Sequence, residues 1–327
     1  AMAMAWPDAF RIADHLEAMP ASEVPPEVEA ALLSLGFPAL KEVRKHKVSF
    51  HATYFLNFES GEGVVLQLLG SELGDKALFD LQRPISAGSI ARASELAQEA
   101  GLRVPKVLAT GEVDKWGPLH DVPFVVYELI KTATVEDEVV APKQDLFSVI
   151  AALRETLGRR SLADVDTEPL PRFEDCFAFI AYLQELSEQI QASELVECCT
   201  KMTKTLRDSG LTSAAPVLVH QDLNDGNVLC SPDCNGTWQL DALIDWEGAV
   251  VVDARVAYEK GEPWQSLRTL AKVIKTRWMM AGMAGSLKLP RCCAEELVED
   301  YEMLCSSLVE SGWLPQVQPL SSLAKQV

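Results

Sequence analysis

The sequence predicts an α+β protein in two lobes, a small β-rich N-terminal lobe followed by a larger and mostly helical C-terminal lobe. Three observations predict this. Between residues 48 and 130, short runs rich in aromatic and β-branched residues surround one helical stretch. From residue 144 on, apolar residues return at helical spacing, interrupted by one β-like block at 216–252. The chain has 327 residues, 48% of them hydrophobic, enough for a bilobal unit with a sizeable core. The texture changes near residue 125, which divides the chain into 1–125 and 126–327.

Residues 8–19 and 26–35 read as short amphipathic helices. Asp8 suits the N-cap of the first, and Pro26 and Gly36 suit the start and stop of the second. The run VSFHATYFLNF (48–58) alternates, SGEG (60–63) turns and VVLQLL (64–69) returns, which is a β-hairpin. Residues 86–100 form a helix that stops at Gly101, and VPKVLATGEV and VPFVVYELI are two further strands. In the second half, helices are expected at 144–158, 172–208, 264–281 and 292–311. The second of these is long for a globular helix and should break or bend. Asn235-Gly236, between two apolar runs, marks a hairpin inside the β-like block.

The net charge of −19, from 29 Lys+Arg against 48 Asp+Glu, argues against general binding to nucleic acid or to anionic membranes. It suits a cationic small ligand, and it also suits solubility alone. No apolar run approaches the roughly 18 residues of a membrane span. The first residues lack the basic-then-apolar pattern of a secretory signal. The eight cysteines are therefore expected as reduced thiols in a cytoplasmic protein. Cys230 and Cys234 have ligand-like spacing but no metal-binding partners nearby in the sequence.

Polar chemistry concentrates in HQDLNDGN (220–227) and LIDWEG (243–248). VLVH is a strand running into a loop, and NVLC opens a hairpin whose return strand ends at LID. His220, Asp222, Asn227 and Asp245 thus gather where strand ends meet loops, a usual place for functional groups. Asp, Asn and Gly are also ordinary turn residues, but a turn alone leaves Asp245 at the end of an apolar strand without a role. Phosphoryl transfer needs such a set: a carboxylate for the proton of the attacking hydroxyl, and hard oxygen ligands for a Mg²⁺ that bridges the phosphates. On this reading Asp222 is the base, Asn227 and Asp245 hold the metal, and His220 braces the loop. Trp246 and Cys230 read as packing, and Glu247 as a brace or a ligand.

The pattern H-x-D-x(4)-N followed by I-D-W-E resembles the aminoglycoside phosphotransferase and choline kinase-like family. The phrase GLRVPKVLATG (101–111), the linker strand FVVYELI and the order of the lobes extend the resemblance over residues 40–280. It implies a protein-kinase-like fold, ATP and Mg²⁺ as cofactors, and a small, amine-bearing molecule with a hydroxyl as acceptor. It also implies nucleotide contacts at Gln67, Lys47 and Glu128. The acceptor pocket would come from the helical lobe, where Glu259, Glu262, Trp264 and Trp278, with Tyr258, suit an acidic, aromatic-lined site for a cation.

The chain departs from the family pattern in several places. Gln221 stands at the Gly of H-G-D. Gln67 stands where the third strand commonly carries Lys or Arg, and the helix position that would supply its Glu partner falls near Ile90, with Glu95 about a turn away. Losing both partners together avoids stranding one charge. No glycine-rich phosphate loop is visible, and Lys45, Lys47 or Lys76 is the expected substitute cation. The alternative reading is a degenerate kinase-like protein that binds a ligand or partner without transfer. Downstream, Asp253 is kept while Ala257 replaces a second Asp of the family.

Overall fold

The computed structural model describes residues 16–46, 51–69, 86–116, 119–130, 143–210, 214–221, 223, 225–286 and 291–315. Its small lobe contains β1 (Leu16–Met19), α1 (Pro26–Ser34), β2 (Leu40–His46), β3 (Ala52–Phe58), β4 (Gly63–Leu68), α2 (Ala87–Glu99), β5 (Val107–Trp116) and β6 (Leu119–Glu128). The strands form an antiparallel sheet in the order β1-β2-β3-β4-β6-β5. The β1 strand corrects the helix expected over 8–19. Leu16 to Met19 pair with His46 to Val43 of β2, and residues 8–15 lie outside the described residues. So short an apolar pattern fits either period, and an available strand edge decides.

Strand alternation gives this sheet two different faces. Tyr54, Leu56, Val64, Leu66 and Leu68 point to one side and pack with Val28 and Leu32 of α1. Thr53, Gln67, Val125 and Tyr127 alternate to the other side, where Thr53 pairs with Gln67, and Gln67 with Val125. Val125 there joins an apolar cluster that holds Ile90, Ala93 and Leu96 of α2 and also Leu157, Leu218 and Trp246 of the large lobe. This second face is therefore the one turned toward the large lobe.

Helix α2 begins at Ser86, whose hydroxyl accepts from the Ser89 amide at 2.9 Å. It is fastened to the large lobe. Arg92 donates to the Asp166 carbonyl from Nε (3.1 Å) and Nη2 (2.6 Å), Arg160 donates to the Leu96 carbonyl at 2.8 Å, and Arg160 pairs with Glu99.

The large lobe contains α3 (Lys143–Arg159), α4 (Cys176–Gln189), α5 (Ser193–Asp208), β7 (Pro216–Val219), β8 (Val228–Pro232), β9 (Trp238–Leu243), β10 (Val250–Asp253), α6 (Ala254–Tyr258), α7 (Trp264–Ser286) and α8 (Arg291–Glu310). The long helical stretch breaks as expected, at Gln191, which sits at φ 55° between α4 and α5. The helices α4, α5, α7 and α8 close a core around Ile180, Leu195, Met202, Leu267 and Tyr301.

Two short sheets position the polar turns. β7 pairs with β10, Val219 opposite Val250, and β8 pairs with β9, Val228 opposite Leu243. The end of β7 thus meets the start of β10, and the start of β8 meets the end of β9. Antiparallel register alone places His220, the turn Asp225–Asn227 and residues 244–249 at the same end of the two sheets.

Candidate active site

The two turns are joined through one residue. His220 Nε2 donates to the Ile244 carbonyl at 2.8 Å, and the Ile244 amide donates to the Asn227 carbonyl at 3.0 Å. His220 is fully buried, its ring edge-to-face with Trp246 at 4.6 Å. The Trp246 indole donates to the Leu243 carbonyl at 3.0 Å. His220 and Trp246 therefore brace the turns from below, as bonded and packed core groups. Asn227 is 9% exposed and ends a 3-10 turn, Asp225–Asn227.

Asp245 sits at φ 68°, ψ 58° and opens a second 3-10 turn, Trp246–Gly248. Gln221 sits at φ 65°. A side chain in this left-handed region costs about 1–2 kcal/mol, which explains why glycine suits position 221. Asp and Asn tolerate the region better than most residues, and Asp245 has that advantage where Gln221 does not.

Asn227 and Asp245 bring one amide and one carboxylate to neighbouring turns. These are hard oxygen donors of the kind Mg²⁺ takes while keeping several waters. Among the described residues, no three of His, Cys, Asp and Glu gather as a ligand set. Asp222, the expected base, lies outside the described residues, as do Lys47 and Lys76.

Glu247 forms an ion pair across the lobes with His51, which precedes β3 and is 2% exposed. Burial alone would lower the His51 pKa, but the Glu247 carboxylate and, further off, Asp245 more than offset it and raise it. Burial would raise Glu247, and the His51 charge and hydrogen bond, with Lys275 and His220 beyond, hold it below its ordinary value. Lys275 on α7 is close by: its Nζ lies 3.7 Å from where a Cβ on Gly248 would stand. Sequence reasoning missed His51. Its period-two relation to Thr53 on the cleft face was the signal that could have found it.

Gln67 accepts a hydrogen bond from the Tyr127 hydroxyl at 3.2 Å. Burial, and then the charges of Asp245 and Glu247, push the Tyr127 pKa well above its ordinary value, so the phenol keeps its proton. On α2, Ile90 is core and Glu95 pairs with Arg92 on the helix surface. Neither a basic residue on β4 nor a helix Glu facing it is present among these residues.

The other expected contact residues are placed as follows. Lys45 alternates onto the face of Val43 and stands opposite Tyr54, away from the cleft. Glu128 stands opposite Val64 on that same outer face, and its carboxylate accepts from the Lys106 amide at 2.8 Å. It lines a cavity of about 410 Å³ with Phe37, Val64 and Leu129, on the outer side of the sheet. Trp264 is 5% exposed within the large-lobe core, and the Arg255 guanidinium covers its ring at 5.2 Å. Glu262 accepts from the Trp313 indole at 3.2 Å, Glu259 is exposed, and Tyr258 donates to the Leu218 carbonyl at 2.9 Å. The Trp278 side chain lies outside the described residues. Burial of Trp264 by the core removes its ring from the aromatic-lined pocket expected of it, while Tyr258 is half-buried against the core.

Asp253 is fully buried. Its carboxylate accepts from the Ala214 amide at 2.9 Å and from the Arg255 amide (2.9 Å), Nε (3.2 Å) and Nη2 (2.9 Å). It ties the approach to β7 to the start of α6 and so steadies the strand that leads to His220.

A family model for the phosphotransferase enzyme family matches residues 50–256. Among solved structures, aminoglycoside phosphotransferase APH(4)-Ia is similar at 13% identity, covering 90% of this chain and 99% of its own, with a TM-score of 0.51. A thermostable mutant of that protein, in a ternary complex with AMP-PNP and hygromycin B, is similar at 14% identity and a TM-score of 0.50, over 88% of this chain and 99% of its own. Macrolide 2'-phosphotransferase MphH from Brachybacterium faecium aligns over 92% of this chain and 97% of its own, at 14% identity and a TM-score of 0.47. No curated protein matches the sequence.

Proposed function

Because the chain belongs to the phosphotransferase enzyme family, we propose that it transfers a phosphoryl group from ATP, with Mg²⁺, to a hydroxyl of a small, amine-bearing molecule. The observation that supports this reading is the junction at Ile244, the residue before Asp245, which bonds both His220 and Asn227. Asp222 takes the proton of the attacking hydroxyl. Asn227 and Asp245 hold the metal, which when bound supplies positive charge to the phosphate oxygens. His220 fixes the loop through its hydrogen bond. The net charge of −19 favours a cationic acceptor, and the fold likeness to a protein solved with AMP-PNP supports the nucleotide.

The test is Asp222→Ala assayed by ADP release over a panel of amino alcohols, aminoglycosides, sugars and nucleosides. Turnover should disappear while nucleotide binding and melting temperature stay close to those of the unaltered protein. Turnover at the unaltered rate would overturn the assignment.

Gln67 with its Tyr127 partner, and Glu95 turned to Arg92, favour one second reading: a kinase-like protein that binds a ligand without transfer. A rise in melting temperature with ATP that depends on Mg²⁺ supports the enzyme, since a ligand bound only by the folded state must stabilise it. No rise at millimolar ATP supports the binder.

A further inference from the structure

We propose that His51 is a positioning residue for the metal turn, acting through Glu247 in place of a strand-cation and helix-Glu pair, which is absent among the described residues. The inference rests on the function proposed above.

Four observations carry it. His51 has the parity of Thr53 on the cleft face of β3, and Thr53 stands directly opposite Gln67. The imidazole is therefore diagonal to the position where the missing cation would stand. Its Nε2 crosses from the small lobe to the Glu247 carboxylate of the large lobe. Glu247 lies within the one-turn 3-10 segment that Asp245 opens from a left-handed conformation. Finally, that conformation is one that a non-glycine side chain keeps only when its surroundings over-determine it.

The physical logic is that of a ligand's supporting partner. Asp245 presents its carboxylate in a useful direction only if residues 246–248 stay wound beneath it. Trp246 pins that turn from the core side, through the Leu243 carbonyl and the His220 ring. His51 pins it from the nucleotide side. Kinase-like lobes commonly couple the strand and the helix through one ion pair. Here α2 is held by Arg92 and Arg160 to the large lobe instead, so the nucleotide lobe needs another electrostatic tie to the metal turn. His51–Glu247 is such a tie.

The experiment measures AMP-PNP affinity by calorimetry, with Mg²⁺ and with EDTA, and the melting temperature of the nucleotide-free protein. Removing a partner that orients a metal ligand costs on the order of 10–100-fold in metal-dependent affinity. His51→Ala and Glu247→Gln should each lose about that much of the Mg²⁺-dependent affinity and leave the affinity in EDTA within about twofold. The double variant should be no weaker than the weaker single variant, because both remove the same link. His51→Gln, which keeps an N–H for Glu247, should recover part of the loss. If His51→Ala does not fold, Glu247→Gln and His51→Gln carry the test. A melting temperature that falls while Mg²⁺-dependent affinity holds would overturn the proposal, as would additive losses in the double variant. Unaltered protein that binds AMP-PNP no better with Mg²⁺ overturns the metal assignment and this inference together. Normal binding by the unaltered protein and by His51→Ala overturns this inference alone.

Discussion

The Tyr127 hydroxyl donates to Gln67 Oε1 at 3.2 Å, so the strand position that commonly carries a phosphate-binding cation is occupied by an amide held by a phenol. The raised Tyr127 pKa keeps the phenol protonated, so the bond is a neutral one between partly buried groups. Tyr127→Phe should lower stability in urea unfolding by about 1 kcal/mol, the net value of one such bond. Tyr127→Phe with Gln67→Leu should restore most of it, since removing both partners strands neither. A single variant as stable as the unaltered protein would mean the bond is not formed in solution.

Asp253 offers a prediction with a defined pH window. Burial would raise its pKa, but the Arg255 hydrogen bonds and the two backbone amides more than offset this and hold it below the ordinary 3.8. A depressed folded value gives stability that is present above the unfolded value and lost as pH falls through the folded one. Asp253→Ala should cost about 3 kcal/mol near neutral pH, because it strands the partly buried Arg255. The difference from the unaltered protein should be flat at neutral pH and shrink below about pH 4, measured as melting temperature against pH.

Position 221 tests backbone strain directly. Gln221→Gly relieves about 1–2 kcal/mol of left-handed strain, against about 0.4–1 kcal/mol of added freedom in the unfolded chain. The expected net effect is a stabilisation of about 0.5–1 kcal/mol by chemical denaturation. Gln221→Val, branched at Cβ, should destabilise. The opposite order would show that the Gln221 side chain makes a contact that outweighs its φ of 65°.

Asp245→Asn separates conformation from charge. Asn tolerates the left-handed region as Asp does, so folding should be preserved within about 1 kcal/mol. Loss of the carboxylate should still remove most of the Mg²⁺ response of nucleotide binding. Asn227→Ala should do the same with little change in melting temperature. Both are read by calorimetric titration with and without the metal.

The cysteines make a labelling prediction. Burial pushes the Cys198 and Cys199 thiols up to about 12, and Cys176, Cys230 and Cys305 up to about 11. Thiolate is the reactive form. In the native protein, and among the described cysteines, the exposed Cys234 should be alkylated first at pH 8, with the five buried ones reacting only on unfolding. Peptide mass mapping after timed alkylation reads the order.

These results also show what the sequence carried and where it stopped. The strands around the polar turns were legible because the turn residues are near neighbours in sequence and the flanking apolar runs are short and distinct. The strand β2 was not, because LKEVRKH places only Val43 in the core and so carries almost no apolar signal. The first strand mimicked a helix over four residues. The His51–Glu247 pair joins residues at opposite ends of the matched region, and no local pattern encodes a contact of that kind. Glu128 came from the family resemblance and Trp264 from its residue type. Strand parity and core burial then assigned one to the outer face and the other to the interior.

Helix α2 has a consequence for how the gene could be cut. By sequence order it belongs to the first lobe, yet Arg92, Arg160 and the cluster around Leu96 bind it to the second. A fragment ending near residue 125 would carry a helix whose apolar side had lost its cover, and the remaining fragment would expose the matching surface. Such halves are expected to be sticky when expressed alone and to reassemble when expressed together, so that the protein behaves as one inheritable block rather than as two exchangeable modules.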